Sequence, residues 1–300
     1  MKYGMPYMGS KNKIAEWIID QLPKAKHFYD VFGGGGAISH CAALSSKYKV
    51  VHYNELNPLI CKAFKMAVNG EFKNEKRWIG REEFKKLKDI DPYVNLCFSF
   101  GNDGKTYAYS PENEQFKKAV HYSIMFNDNS LLSKYIDIHE LKYETEKIHE
   151  RRIYLQRFLK RFKNKVKNYC NTDGGNVRNI LQSLERLERL QNLEKLQSLE
   201  ITNLNYKNVQ IEEDSVIYCD PPYVNTNDYK IDFCHDDFYN WCRNQKNCFI
   251  SEYTMPIDFK SVGERCKICT FNDENIKVTT EKLFTQDFDE WQKRNDLSKK

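Results

Sequence analysis

The sequence holds no apolar run of about 18 residues, the length a membrane-spanning helix requires. Its opening residues, Met1-Lys2-Tyr3-Gly4-Met5-Pro6, lack the apolar stretch of a secretion signal. A soluble, cytoplasmic protein without a membrane partner is therefore expected. Cysteine is present but unpatterned: ten are spread over 300 residues, and their spacings suggest no disulfide framework. Cys266 and Cys269 form the single CxxC pair. No His follows Cys269, and Cys242 and Cys248 are too loosely spaced to complete a standard zinc pattern. No metal is expected, and the thiols are expected to be ordinary ones.

Charge of one sign is also scarce overall, with 47 Lys and Arg against 42 Asp and Glu. The excess is local. Residues 151–167 hold Arg151, Arg152, Arg157, Lys160, Arg161, Lys163, Lys165 and Lys167, with no acid among them. Residues 205–300 carry more acids than bases. What the chain does have is core material: 40% hydrophobic residues, with 19 Tyr and 18 Phe. Its length suits two domains, or one domain carrying an insertion.

The N-terminal part alternates helix and strand. Ile14, Trp17, Ile18 and Leu22 fall at helical spacing and predict a helix over Lys13–Leu22, ended by Pro23. His27–Phe32 reads as a buried strand. Gly33 to Gly36 follow, then a helix over Ala37–Leu44 and a second strand over Val50–Tyr53, ending at Asn54-Glu55. This opens a Rossmann-like α/β sheet. The rhythm lapses over about 67–204, where helices are predicted near 112–125 and 142–168. It returns with strands at 199–204, 215–219 and 247–251. Within the lapse, Leu181, Leu184, Leu187, Leu190, Leu193, Leu196 and Leu199 recur every third residue. A period of three drifts about 60° per step around an α-helix, so no heptad seam forms. A helical segment or a short repeat of turns fits.

The sharpest candidate for chemistry is Asp220-Pro221-Pro222-Tyr223, directly after the strand Val216–Cys219. Ligands of open α/β sheets bind at the carboxyl ends of strands. Two prolines stiffen the loop and leave their carbonyls as acceptors. A carboxylate and a carbonyl can each accept one N–H of an adenine amine, so that its lone pair turns out of the ring. The Tyr223 ring can stack on a base taken out of the duplex, worth about 1–3 kcal/mol. A plain turn is the simpler alternative for Asp-Pro-Pro. A second candidate is the glycine turn after Asp30-Val31-Phe32, where a ligand can approach the backbone closely. Glu55 stands about 20 residues on, placed for ribose hydroxyls. A third is Tyr7-Met8-Gly9-Ser10-Lys11, an aromatic and a cation before the first helix.

Four of these segments, in this order, resemble the Dam-type N6-adenine DNA methyltransferases, and Ser99-Phe100-Gly101-Asn102 with Tyr107-Ala108-Tyr109 resembles the form seen in phage and prophage members. Pro6–Lys11 resembles their N-terminal cofactor motif, Phe32–Gly36 their FxGxG motif, Glu55 their ribose-binding acid, and Asp220–Tyr223 is their DPPY motif unchanged. Ile250-Ser251-Glu252-Tyr253 and Glu281-Lys282-Leu283-Phe284 are similar to later family segments. The departures are Tyr7 where some members have Trp, and Glu55 where many have Asp.

The resemblance implies a Rossmann-like methyltransferase sheet from 1–66 and 205–300, with 67–204 as an inserted, mainly helical target-recognition domain. It implies S-adenosylmethionine as donor, S-adenosylhomocysteine as product and double-stranded DNA as partner. A cognate restriction endonuclease and a monomeric state in solution go with it. Tyr7, Lys11, Asp30, Phe32, Gly34, Gly36, Glu55 and Asp220 would form the cofactor site. Asp220, Pro221, Pro222 and Tyr223 would form the catalytic loop. Arg151, Arg152, Arg157, Lys160, Arg161 and Lys163 would meet DNA phosphates. RNA as substrate, N4-methylcytosine as product, or a non-catalytic nucleic-acid-binding protein stay open on the residues alone.

Overall fold

The computed structural model describes residues 2–166, 182–196, 199–223, 233–272 and 275–298. After a 3-10 turn at Lys11–Lys13 come α1 (Ala15–Gln21), β1 (His27–Asp30), α2 (Ala37–Leu44), β2 (Val50–Asn54) and α3 (Pro58–Val68). A helical run follows: α4 (Arg81–Leu87), α5 (Pro92–Phe98), α6 (Pro111–Phe126), α7 (Ile148–Lys160), α8 (Lys163–Val166) and α9 (Gln182–Gln191). The chain closes with β3 (Leu199–Thr202), β4 (Ser215–Cys219), α10 (His235–Arg243), β5 (Cys248–Glu252), β6 (Lys260–Asn272), β7 (Asn275–Thr285) and α11 (Phe288–Ser298). Among the described residues no helix is long and apolar enough to cross a membrane.

The chain divides into two compact units, one of residues 1–4, 9–65 and 195–300, the other of 5–8 and 66–194. The first is a mixed α/β unit. Its strands run in the order β3-β2-β1-β4-β5-β7-β6. The first five are parallel, and β7 is antiparallel to both β5 and β6. All residues of β1, β4 and β5 are buried, as expected of parallel strands covered on both faces. Alternation along β4 sorts the two cores. Val216 and Tyr218 join Ile18, Ile38, Phe28 and Phe249 on one side. Ile217 and Cys219 join Tyr29, Phe238, Cys242 and Ile250 on the other. The order runs outward from β1 in one direction and from β4 in the other, so the crevice for a ligand lies at the carboxyl ends of β1 and β4.

The second unit is helical in its described part. α5 begins with Pro92, and the Asp91 carboxylate accepts hydrogen bonds from the amides of Tyr93 and Val94, an N-cap that starts the helix sharply. Its other end meets α9. There the buried Arg186 donates to the carbonyls of Cys97 and Ser99 at 3.2 and 2.6 Å. The helix expected over 142–168 is shorter and broken. It starts at Ile148, and Arg161 and Phe162 bond three residues back to Phe158 and Leu159, the tightening that closes a last turn.

The leucine repeat resolves the same way. Leu184, Leu187 and Leu190 sit on α9, Leu193 in a 3-10 turn over Asn192–Lys195, and all are buried, as is Leu196. Three leucines sweep only about 120° around an α-helix, within one apolar face. The turn then tightens to three residues per turn, where a period of three no longer drifts. Leu181 lies outside the described residues.

Candidate active site

The glycine turn is fixed by backbone and by space. Gly34 and Gly36 have φ of 47° and 67°, values that disfavour a side chain. A Cβ on Gly36 would lie 2.2 Å from the Phe64 ring, and one on Gly33 would lie 2.2 Å from the Tyr53 ring. β2 ties the turn down. Tyr53 donates its hydroxyl to the Gly34 carbonyl at 2.8 Å, and the Gly34 amide donates to Glu55 Oε2 at 2.8 Å. Glu55 Oε1 accepts from the Asn57 amide at 2.7 Å. Burial raises the Glu55 pKa, opposed by these amide donors.

Asp30 and Phe32 were expected among the cofactor contacts, and their described partners give them supporting roles in the turn. Asp30 is buried, and its Oδ2 accepts from the Ser39 amide at 3.1 Å and the Ser39 hydroxyl at 2.6 Å. It anchors the first turn of α2. Burial pushes its carboxyl up to about 7, against the pull of Ser39. The Phe32 ring packs among Tyr206, Phe233 and Phe238. Tyr7 is half-buried and belongs to the second unit.

Beside the turn, the end of β4 carries the catalytic candidate. Lys11, buried in the 3-10 turn that Ser10 caps, places its Nζ 2.7 Å from Asp220 Oδ1. The same ammonium lies 3.4 Å from Glu281 Oε1 on β7 and 4.8 Å from the centre of the Tyr223 ring. Tyr223 in turn donates its hydroxyl to Glu281, and Tyr253 meets its ring edge-on at 4.8 Å. Pro222 is held as well, its carbonyl accepting from His235 Nε2 at 2.9 Å. A carbonyl cannot donate, so His235 carries a proton on Nε2. His235 opens α10, which anchors the loop to the helix behind it.

The electrostatics follow from the shared burial. Burial works against the Lys11 ammonium, but the charges of Asp220 and Glu281 outweigh it and raise its pKa. Burial also raises Asp220; Lys11 opposes this and Glu281 adds to it. The Tyr223 hydroxyl is pushed far up by burial and by the two carboxylates, and stays protonated. The arrangement can present a carboxylate with one oxygen already committed to a cation, next to an aromatic face and a backbone turn stripped of side chains.

The basic stretch does not form one free face. Arg151 is buried and its guanidinium is committed internally, to the Thr145 carbonyl at 2.7 Å, the Ile124 carbonyl at 3.3 Å and Glu146 at 2.5 Å. Arg152 pairs with Glu188 at 2.8 Å. Arg151 and Arg152, both expected to meet DNA, thus already have internal partners: Arg151 is buried against carbonyls that would lose a donor without it, and Arg152 is half-buried against Glu188. Arg157, Lys160 and Arg161 are exposed, with Arg161 reaching Glu140 at 2.5 Å. The side chain of Lys163 and all of Lys167 lie outside the described residues.

Sequence spacing missed two groupings. Glu281 lay in a segment noted for its resemblance, but nothing local marked it as a partner of Tyr223, 58 positions away. Cys219, Cys242 and Cys248 converge, their sulfurs all within 4.8 Å of one another and all buried. They belong to the apolar core of β4, β5 and α10. Among the described residues this trio has no fourth ligand, which a closed structural zinc site requires, and Cys266 stands exposed and apart.

Residues 7–241 match the family model described as D12 class N6 adenine-specific DNA methyltransferase. No curated protein matches the chain.

Proposed function

This chain belongs to the D12 class N6 adenine-specific DNA methyltransferases, and from that membership we propose that the Asp220–Tyr223 loop is where an adenine taken out of duplex DNA receives its methyl group. The enzyme is an adenine-specific DNA methyltransferase, and DNA is its substrate. Its mixed sheet of seven strands is consistent with a methyltransferase fold that uses S-adenosylmethionine. The order of the segments, with the Lys11 motif first and the Asp220 loop last, supports the Dam-type subgroup.

The cluster of Lys11, Asp220, Glu281 and Tyr223 beside the glycine turn carries this reading. The residues present fit S-adenosylmethionine. The turn leaves no room for side chains at Gly33 and Gly36, and Glu55 already reaches its backbone. Gly34, Gly36, Glu55 and Lys11 would hold the cofactor. When bound, its sulfonium supplies an electrophilic methyl.

The protein's part is orientation. Asp220 Oδ1 is committed to Lys11, so Oδ2 accepts one N–H of the adenine amine. His235 occupies the Pro222 carbonyl, so the carbonyl of Pro221 accepts the other N–H. The two bonds draw the amine lone pair out of conjugation with the ring, and Tyr223 stacks on the base to fix its plane. Such catalysis rests on positioning and preorganised charge. The second unit would grip the duplex, with Arg157, Lys160 and Arg161 on phosphates, which the exposure of these residues supports.

The test is methylation-aware sequencing of DNA from a methylation-deficient bacterial host expressing the chain, beside the Asp220→Ala variant. N6-methyladenine in one short motif, in the wild type only, is the expected result. Unmodified DNA in both strains, with folded protein present, would sink the duplex-DNA reading. Methylation persisting in Asp220→Ala would leave the activity and remove the role of Asp220.

A further inference from the structure

We propose that Glu281 is a positioning residue of this site, one that sets the Tyr223 ring and the Lys11 ammonium before the adenine arrives. The inference rests on the reading that Tyr223 stacks on the base and Asp220 receives its amine. It adds a residue that lies outside the matched part of the chain, on β7, beyond position 241.

Three observations carry it. Glu281 is buried, with 2% of its surface exposed. A buried carboxylate persists only where hydrogen bonds and a counter-charge replace water, and its described partners are the Tyr223 hydroxyl and the Lys11 ammonium at 3.4 Å. Both partners are groups the reaction uses. Second, its bonds reach the two ends of the catalytic loop: Tyr223 directly, and Asp220 through Lys11 at 2.7 Å. One carboxylate thereby couples the stacking platform to the amine acceptor. Third, the strand beneath it is held on both sides. Glu281 is two residues from Leu283, which is fully buried in the core shared by α1 and α2, and β7 is paired on both sides by β5 and β6.

The physical role follows from the geometry of stacking. A tyrosine held only through its own backbone can rotate about two side-chain bonds. Stacking then requires that freedom to be lost when the base enters. The hydroxyl tie to Glu281, the edge contact with Tyr253 and the ammonium near the ring remove it beforehand. Preorganisation of this kind lowers the cost of reaching the reactive arrangement. Glu281 touches neither the donor nor the base in this scheme, and so acts through Tyr223 and Lys11.

The test compares steady-state methylation of unmodified genomic DNA by the full chain and by Glu281→Ala, Glu281→Gln, Tyr223→Phe and the Glu281→Ala/Tyr223→Phe double variant. Tyr223→Phe keeps the ring and removes the hydroxyl. Glu281→Ala is expected to lower kcat about tenfold or more, a loss larger than any rise in cofactor KM from the removed charge, the split expected of lost orientation. Glu281→Gln retains an acceptor for the hydroxyl and is expected to recover part of that loss. Both single variants break the Tyr223–Glu281 bond, although Glu281→Ala also frees Lys11 and Tyr223→Phe also loses the hydroxyl's bond to Asp220, so the double variant should fall short of the product of their separate effects by the shared part.

Losses that multiply, or a Glu281→Ala variant with unchanged kcat, would overturn the proposal. If Glu281→Ala fails to fold, the ratio of Glu281→Gln to Tyr223→Phe decides. A kcat loss in Tyr223→Phe with none in Glu281→Gln supports the tie, whereas equal and additive losses in those two and their combination refute it. Asp220→Ala run in parallel separates the two levels. Activity persisting there removes the underlying reading, whereas an inactive Asp220→Ala with a fully active Glu281→Ala removes only the role of Glu281.

Discussion

Asp30 shows how one buried carboxyl writes itself into the pH dependence of the fold. Its pKa is pushed up to about 7 from 3.8 by burial. Between those values the folded chain holds a proton that the unfolded chain has released. Stability from this group is therefore full at about pH 4 and below, falls as pH rises, and is lost above about pH 7. Glu55 and Asp220 shift in the same direction. Asp30→Asn should flatten the decline without abolishing it. Unfolding free energies from urea titrations at about pH 5 and about pH 8 should differ less in the variant, by an amount on the order of a few kcal/mol. Equal declines in both proteins would show that Asp30 does not titrate there. At this scale the sequence was informative where chemistry is contiguous. Asp220 to Tyr223 stand side by side, so they could be picked out together as a candidate site. Glu281 could not, since its partners Lys11 and Tyr223 come from distant positions, and neither could the burial of Arg151, which depends on the Ile124 carbonyl 27 residues away.

Single helices tell a similar story about which charges are free. α7 presents Leu155, Phe158 and Leu159 inward, and Tyr154 is exposed. Its cations divide into two sets. Arg151 and Arg152 brace the unit; Arg157 and Lys160 face outward, with Arg161 just beyond the helix. Replacing Arg157, Lys160 and Arg161 together with Gln should weaken DNA binding and lower the slope of log affinity against log salt by up to about 3, near 0.9 for each phosphate no longer neutralised. Fluorescence anisotropy across a salt series reads this directly, and an unchanged slope would remove these residues from the interface. Arg151→Ala should behave differently. It should leave the slope alone and cost about 2 kcal/mol or more of stability, since it strips a donor from the buried Ile124 carbonyl and the part-buried Thr145 carbonyl and removes packing. A thermal melt distinguishes the cases. The split was invisible in the sequence because periodicity reports which face is apolar, and it does not report which polar residues find internal partners.

Across the whole molecule, the parallel half of the sheet was legible and its far edge was not. β1, β2, β4 and β5 are short apolar runs followed by turns or acids, and each fell within a residue or two of its expected place. β6 and β7 are longer and carry charges along their length, as in Glu264-Arg265 and Glu281-Lys282, so no simple alternation marked them. They are nonetheless integral. Leu283 and Phe284 of β7 enter the two opposite cores, and β7 supplies the hydrogen-bonding partner of β5. A chain cut after Asp258 should therefore lose its cooperative thermal transition and precipitate, because an apolar core face and the edge of β5 would both be opened. A soluble product with a sharp melt, followed by circular dichroism, would show the parallel half to be self-sufficient.

At the end of β4 two carboxylates, Asp220 and Glu281, share the single ammonium of Lys11. The cluster thus has a deficit of one positive charge. A sulfonium donor bound there would bring that charge into the site, and the thioether left after transfer would not. Charge alone would therefore make the unreacted cofactor the better guest, and the same chemistry that methylates the base would loosen the hold on what remains.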